Sequence, residues 1–417
     1  MRKEATKEEW KKLYTLAESY KSLKPWMQFY GTDLFCIRFS AEESGYFTIM
    51  GKLGESIGLS LYQGMEGYND FMGLMNAESL SVPTDYIMIE QNCISMYCGD
   101  REDLTKQQHE VIKELGLKFR GKGNWIYFET YEKGYFPYLP DRNEVVTFTQ
   151  YLERLVEALN YYIEQKCNVD FDSGKIFEYA FEDGVWKGKE TLLPYTEYRY
   201  RTITLSNDIM AAQLKKAAMG KKSGILELDM FYIVAPIADE KYKKPFLGKY
   251  VIMGESRSGL ILDQQILTPL DDDLGALPGM LVRWIQSHGA PEAVVVSNPV
   301  MKALVSHICN ICSIPLRIDR LPAIEECRAG LGDMNAQASD NPPEDISMEE
   351  FEYPLQLLGE LGVDVEDWKR KAKSMETEEF AEAFQEQMLQ VIEGLGFTGE
   401  EALSVWNKIN EDTEYRH

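Results

Sequence analysis

ILELDMFYIV, residues 225–234, opens the part of the chain that decides the fold. Two further apolar runs follow it, KYVIMGES (residues 249–256) and LILDQQIL (residues 260–267), with Ser258 and Gly259 between them. Short apolar runs that are bounded by turn residues predict β-strands. We therefore expect three consecutive strands here, of which the last two form a hairpin.

After these strands the chain alternates between helical spacing and strand-like runs. We predict a helix from about Leu277 to Ser287, a buried strand over 293–297, a helix over 299–312 and a last strand over 314–318. Strands that alternate with helices indicate an α/β domain. We place this domain, with a mixed sheet, at residues 206–332.

The first half of the chain predicts an α+β domain over residues 1–205. A capping box at Thr6 begins an amphipathic helix that Pro25 ends. The segment from 35 to 62 is broken by glycines and predicts an antiparallel meander. A further apolar run, YIMIEQNCISMYC (residues 86–98), follows the meander.

Negative charge is concentrated near the end of the 417 residues. The formal net charge is -24, and residues 333–417 hold 22 acidic and 6 basic residues, so most of the excess lies in this tail. An apolar stripe at helical spacing runs through the tail and must be buried against something. The stripe consists of Phe380, Phe384, Met388, Val391 and Leu395. We expect a small all-α acidic module that contacts a protein partner or a basic segment of its own chain.

The start of the chain has no signal-peptide pattern, and no run approaches the roughly 18 apolar residues that span a bilayer. The seven cysteines fit buried thiols better than a disulfide framework. We expect a cytoplasmic protein that does not enter membranes. Cys309 and Cys312 lie near His307 as in a metal site, but helical spacing places them in the core, so we predict no bound metal there.

Two segments are candidate partner surfaces. Residues 199–257 hold 11 basic and 6 acidic residues, which favours either nucleic-acid binding or contact with the acidic tail. The candidate nucleic-acid-binding residues are the clustered lysines of this segment, Lys215, Lys216, Lys221, Lys222, Lys241, Lys243 and Lys244. The aromatic side chains Tyr135, Phe136 and Tyr138 form a second candidate surface, for a protein partner.

The order of strands and helices between Ile225 and Leu331 resembles the ribonuclease H-like fold, as in retroviral-type integrases. In that fold, carboxylates on neighbouring strands hold two metal ions. The resemblance places Asp229 at the first-strand carboxylate and the Ser297-Asn298 pair where a second aspartate is expected. On the last helix it places Glu325 or Glu326.

The whole chain also resembles a group of bacterial proteins in which two domains of unknown function are joined. The likeness rests on LAESYKSLKPW (16–26), YFTIMGKLGESIGLSLYQG (46–64) and LGLKFRGKGNWIYF (115–128) in the first half, and on the stretch from Ile225 in the second. It implies no activity, and the acidic tail lies outside it.

A neutral Ser-Asn pair cannot supply the charge of a two-metal site. The first hypothesis is therefore a non-catalytic binding or adaptor protein, without a cofactor, whose ribonuclease H-like domain is inactive. The first alternative is a nuclease or phosphotransfer enzyme that uses Mg²⁺ or Mn²⁺ with Asp229, Asp263 and Glu325 or Glu326. The second is nucleic-acid binding without catalysis.

Overall fold

The computed structural model describes residues 2–54, 56–196, 200–220, 222, 224–238 and 244–339, and in the tail residues 368, 384, 387–389, 391 and 392. Met1–Ala329 form one compact unit and Gly330–His417 a second. Both sheets lie in the first unit. Among the described residues, none of the helices combines the length and the apolar character that crossing a membrane requires.

Seven strands of the first half form one sheet. They are β1 (Phe35–Arg38), β2 (Ser44–Met50), β3 (Ile57–Gln63), β4 (Cys93–Gly99), β5 (Trp125–Tyr131), β6 (Lys175–Glu182) and β7 (Val185–Leu192). Their order in the sheet is β5-β4-β3-β2-β1-β6-β7. β1 and β6 pair in parallel, and the other neighbours are antiparallel, so the meander predicted over 35–62 is confirmed.

Helices cover both faces of this sheet. They are α1 (Lys7–Leu23), α2 (Gly64–Met75), α3 (Thr84–Ile89), α4 (Lys106–Leu115) and α5 (Arg142–Glu164). α1 and α5 pack on one face in a core that includes Leu13, Tyr14 and Phe148, and α2 packs on the other through Tyr68 and Phe71. The predicted capping box is present at the start of α1.

The run over residues 86–98 is not one element. Its first part lies in α3, and its second part forms β4 after a break at residues 90–92. The hairpin of β6 and β7 was not predicted either. Short apolar runs do not distinguish a helix from a strand by periodicity, because a few residues match both patterns. The split matters because the break after α3 carries Glu90 and Gln91.

The described residues between 208 and 339 form a five-stranded sheet with four helices. These elements are α6 (Asp208–Ala217), β8 (Ile225–Ile237), β9 (Phe246–Glu255), β10 (Leu260–Leu267), α7 (Asp273–His288), β11 (Ala293–Val296), α8 (Pro299–Ile311), β12 (Leu316–Ile318) and α9 (Pro322–Ser339). The order is β10-β9-β8-β11-β12, antiparallel on one side of β8 and parallel on the other. The predicted mixed sheet is confirmed.

The faces of the second sheet differ in chemistry because side chains alternate along β8. Leu226, Leu228 and Met230 point into an apolar core with α6, α7 and α8. The first turns of α9 pack on the opposite face, where a Cβ placed on Gly254 would lie 3.2 Å from the Cβ of Ala323. The second sheet is thus enclosed on both faces near β8.

The two sheets are joined by backbone hydrogen bonds. The amide of Phe136 donates to the carbonyl of Pro245 (3.1 Å), and the amide of Leu247 donates to the carbonyl of Gly134 (2.9 Å). The segment after β5 therefore pairs with the beginning of β9.

The described tail residues are helical. Phe384 and Met388 are buried, as the apolar stripe predicts, and the rings of Trp368 and Phe384 lie 5.2 Å apart. Phe380 and Leu395 lie outside the described residues.

A substitution at Gly58 on β3 tests how closely β3 and β4 approach each other. A Cβ at this position would lie 2.5 Å from the carbonyl oxygen of Met96, so we expect Gly58→Ala to lower the free energy of unfolding by about 1–3 kcal/mol. Urea unfolding measures the change. Gly220→Ala is the matched control, because its nearest atom would be the Ala217 carbonyl at 4.0 Å. Equal stability of the two variants would contradict the packing described.

Candidate functional site

Two carboxyl side chains lie buried on the face of β8 that meets α9. Glu227 is 0% exposed and Asp229 is 4% exposed. They are two residues apart on one strand, so they point to the same face, away from the apolar core. Buried carboxyl groups require partners, and those partners determine what this face can do.

Asp229 is engaged by neutral donors at the end of β11. The Ser297 hydroxyl donates to Asp229 Oδ1 (2.5 Å), and the Asn298 amide donates to Ser297 Oγ (2.8 Å). The other end of the Asn298 amide, Oδ1, accepts from the amides of Val300 and Met301 and so caps α8. Burial raises the pKa of Asp229 to about 6, although the hydroxyl of Ser297 opposes the shift. The predicted Ser-Asn position is thus in contact with Asp229.

Glu227 meets the beginning of α9. Its Oε2 accepts from the amide of Ile324 (3.2 Å), and its Oε1 has no hydrogen-bond partner among the described residues. A negative charge is favourable at a helix N-terminus, where the first amides lack partners within the helix. Glu227 therefore anchors α9 on the sheet, a role that the sequence did not suggest.

The other predicted carboxylates have separate surface partners. Asp263 on β10 pairs with Arg283 (2.9 Å), and Glu325 on α9 pairs with Arg320 (2.7 Å). The hydrogen bond from Arg320 lowers the pKa of Glu325. Glu326 is exposed. Within the described ranges, no three His, Cys, Asp or Glu side chains are grouped so that they could hold a metal ion.

The cysteines of α8 are core residues. Cys309 and Cys312 are 1% and 6% exposed and belong to the apolar core of the second sheet, as their helical spacing predicts. Cys327 lies on α9 and is a free thiol like the others.

The lysines of the basic segment do not form one surface in the described part of the chain. Lys215 and Lys216 are exposed on α6, whereas Lys222 donates to the carbonyl of Ser313 (3.1 Å). Lys244 pairs with Glu132. Lys221, Lys241 and Lys243 lie outside the described residues.

The aromatic segment lies at the junction between the sheets. Tyr135 and Tyr138 are partly buried, and the Lys244 ammonium lies 4.1 and 4.3 Å from their ring centroids. Phe136 is the exposed member of the three, at 37%. Tyr135 and Tyr138 thus contribute to the junction, and Phe136 remains accessible.

A buried ion cluster connects the two halves. The ammonium of Lys249 on β9 contacts Glu90 (2.9 Å) and Asp273 (2.6 Å), and its side chain is only 9% exposed. It also lies 4.7 Å from the ring centroid of Tyr232, whose hydroxyl donates to Glu90 (2.6 Å). Glu90 follows α3, and Asp273 is the first residue of α7. These residues are far apart in the chain, so no sequence motif could have identified the cluster.

A cavity of about 560 Å³ lies beside this cluster; we call it the junction cavity. α2 and α3 form one side, and β8 and the first turns of α7 and α8 form the other. Its ionisable and amide side chains include Asp70, Glu90, Gln91, Lys133, Arg201 and Asp273. Burial raises the pKa of Asp70, and its ion pair with Lys133 (2.8 Å) opposes that shift. The volume is in the range of ligand sites, and the lining combines these polar groups with apolar side chains.

The pKa of Asp229 predicts a pH-dependent stability. Between the ordinary value of 3.8 and about 6, the folded state binds more protons at this group than the unfolded state. The contribution is therefore complete at lower pH and is lost as pH rises through about 6, at a total of about 3 kcal/mol. We expect the stability advantage of the wild type over Asp229→Asn to shrink by this amount between about pH 4 and 7.

Urea unfolding across that pH range measures the effect. Ser297→Ala removes a hydrogen bond that lowers this pKa, so its transition should move to higher pH. Parallel stability curves for the wild type and Asp229→Asn would exclude a buried, titrating carboxyl group.

Removal of the Lys249 charge tests the ion cluster. Lys249→Met leaves the partly buried Glu90 and Asp273 without their shared cation, so we expect a loss of about 1–3 kcal/mol in the free energy of unfolding. Lys12→Met is the control, because the Lys12–Glu153 pair is solvent-exposed and contributes less than about 1 kcal/mol. Thermal and urea unfolding give the comparison, and similar losses for both variants would argue against a structural role of the cluster.

Residues 10–178 match a domain of unknown function, DUF7309, and residues 210–332 match another, DUF6930. Comparison with curated proteins gives no match. The first match covers most of the seven-stranded sheet, and the second covers the five-stranded sheet with its helices. The chain therefore joins two different domains of unknown function, each built around its own sheet.

Proposed function

We propose that this is a non-catalytic binding protein whose second domain has the ribonuclease H-like arrangement without its metal chemistry. The strand order β10-β9-β8-β11-β12 supports the fold assignment, because β8 is central and pairs antiparallel with β9 and parallel with β11. The helices α7, α8 and α9 follow in the chain order that the resemblance implies.

The observation that carries the proposal is the hydrogen-bonded chain from Asn298 through Ser297 to Asp229. A two-metal site needs several carboxylates around ions about 4 Å apart. Asp229 instead meets a hydroxyl and, behind it, an amide that is already used to cap α8. A neutral donor pair satisfies one carboxyl group, but it does not attract two divalent ions.

The packing of α9 supports the same conclusion. Ala323 and Ile324 lie against Gly254, and the amide of Ile324 donates a hydrogen bond to Glu227 Oε2. The space beside the carboxyl groups is therefore filled by apolar side chains and a helix terminus. Glu325, on the next position of α9, is bound to Arg320 at the surface.

The partner that we propose is a protein with a basic surface. The tail over 333–417 carries most of the negative charge of the chain, which favours electrostatic attraction to such a surface and repels nucleic-acid phosphates. Phe136 is an accessible aromatic side chain and a second, separate candidate contact for a protein partner. Nucleic-acid binding is less favoured, since Lys222 and Lys244 make internal contacts.

The proposal places the protein in the bacterial cytoplasm. All seven cysteines are free thiols, and five of them are buried: Cys36, Cys93, Cys98, Cys309 and Cys312. Free thiols persist in a reducing compartment.

A metal-dependent nuclease is the second candidate, and one observation favours it. Glu227 and Asp229 are two buried carboxyl groups on the same face, and Glu227 Oε1 has no partner within the described part of the chain. Such an oxygen is available as a ligand if α9 moves away from the sheet.

Titration with Mg²⁺ and Mn²⁺, followed by calorimetry, separates the two candidates. We expect no saturable binding by the wild type, and no hydrolysis of single- or double-stranded nucleic acid with either ion. Asp229→Asn and Glu227→Gln serve as matched variants. Ion binding or hydrolysis that disappears in both variants would reverse the ranking of the two candidates.

A further inference from the structure

The junction cavity lies on the opposite side of β8 from Asp229. Met230 lines the cavity and points to the apolar core face, whereas Asp229 points towards α9. The cavity also adjoins α3, which carries none of the residues that the resemblance singled out. What the cavity binds is therefore a separate question from whether the second domain holds metal ions.

The side chain of Gln91 has a hydrogen-bond acceptor, Oε1, to which no described residue donates. Its side chain is 4% exposed, and Nε2 donates to the carbonyls of Asp70 and Ile87, at 3.0 Å each. These two bonds fix the orientation of the amide, because the reversed group would place an oxygen against two carbonyl oxygens. Oε1 then has no partner among the described residues. A buried acceptor in this state is completed by an N–H or O–H group from a bound water or a ligand.

The ion pairs leave an unbalanced negative charge in one part of the cavity. Asp70 is matched by Lys133, but Glu90 and Asp273 share the single ammonium of Lys249. Two carboxylates with one cation favour the approach of a second cation. Glu90 Oε2 and Asp273 Oδ1 make no hydrogen bond to any described residue, so acceptors for that cation are available.

Arg201 supplies the opposite charge. Arg201 lines the same cavity, and its side chain has no hydrogen bond or ion pair to any described residue. An arginine without a carboxylate partner is suited to bind one from a ligand, through two parallel hydrogen bonds. The surplus negative and positive charges of the cavity are thus carried by different residues.

Apolar side chains also line the cavity between these groups. They include Met72, Leu80, Ile87, Met230, Leu274 and Leu304. A volume of about 560 Å³ is sufficient for a molecule of the size of an amino acid or a dipeptide.

We propose that the junction cavity binds a small zwitterion with an apolar body, namely a free α-amino acid or dipeptide with large aliphatic side chains. Its ammonium group donates to Gln91 Oε1 and compensates the Glu90–Asp273 pair, and its carboxylate binds Arg201. The apolar body lies against the methionine and leucine side chains.

Calorimetry on the full chain tests the proposal with leucine and leucyl-leucine at up to about 10 mM, where a Kd of about 1 mM is readily detected. N-acetyl-leucine lacks the ammonium group, and leucinamide lacks the carboxylate. We expect at least one zwitterion to bind and both single-charge probes to bind at least about tenfold more weakly, which corresponds to the loss of one charged contact.

Variants locate the site. Arg201→Met and Gln91→Leu should each weaken binding of the zwitterion by about tenfold or more, and Arg201→Lys should retain part of it. Arg317→Met is the matched control, because Arg317 is exposed and does not line the cavity. Arg201 is itself exposed, so its variant leaves the core intact even if Gln91→Leu lowers stability, and circular dichroism verifies the fold of each.

Absence of binding by both zwitterions would overturn the proposal. Equal affinity for the single-charge probes, or unchanged binding by Arg201→Met, would overturn it as well. None of these results bears on metal binding at Asp229, so failure here is distinguishable from failure of the non-catalytic assignment.

Discussion

The buried ammonium of Lys249 is the interaction on which the junction between the two sheets depends. A lysine that is removed from water is costly unless carboxylates compensate it. Its two carboxylates come from opposite halves of the first unit, Glu90 after α3 and Asp273 at the start of α7. α3 must therefore lie against β9 and α7, and the junction cavity is the space left beside that contact.

The alternation of side chains along β8 divides the second sheet into two chemical environments. Leu228 and Met230 belong to a core closed by three helices, while Glu227 and Asp229 lie under α9. Both carboxyl groups bind groups that also position helices: Ser297 precedes Asn298, the cap of α8, and the amide of Ile324 lies in the first turn of α9. These polar groups, which are of the kind that can bind metal ions, thus hold the helices in position.

Much of the fold was predictable because local sequence patterns determine where most of the helices and strands form. The strands from Ile225 onward, the capping box at Thr6 and the core position of Cys309 all follow from spacing and composition within a few neighbouring residues. The run over 86–98 was assigned as one segment, because a short apolar stretch satisfies helical and extended patterns alike. The break that separates α3 from β4 depends on what each part packs against.

By itself, the sequence determined that two sheet domains and an acidic tail are present, and that a neutral Ser297-Asn298 pair follows β11. These features depend on residues that are close together in the chain, so they can be predicted from short-range periodicity and from the chemistry of single residues. Only the tertiary structure decided that Gln91 and Arg201 line one cavity and that Lys249 meets Glu90, 159 residues away in the chain. Contacts between distant segments arise from the packing of whole elements, and no local pattern encodes which isolated polar side chains that packing brings together.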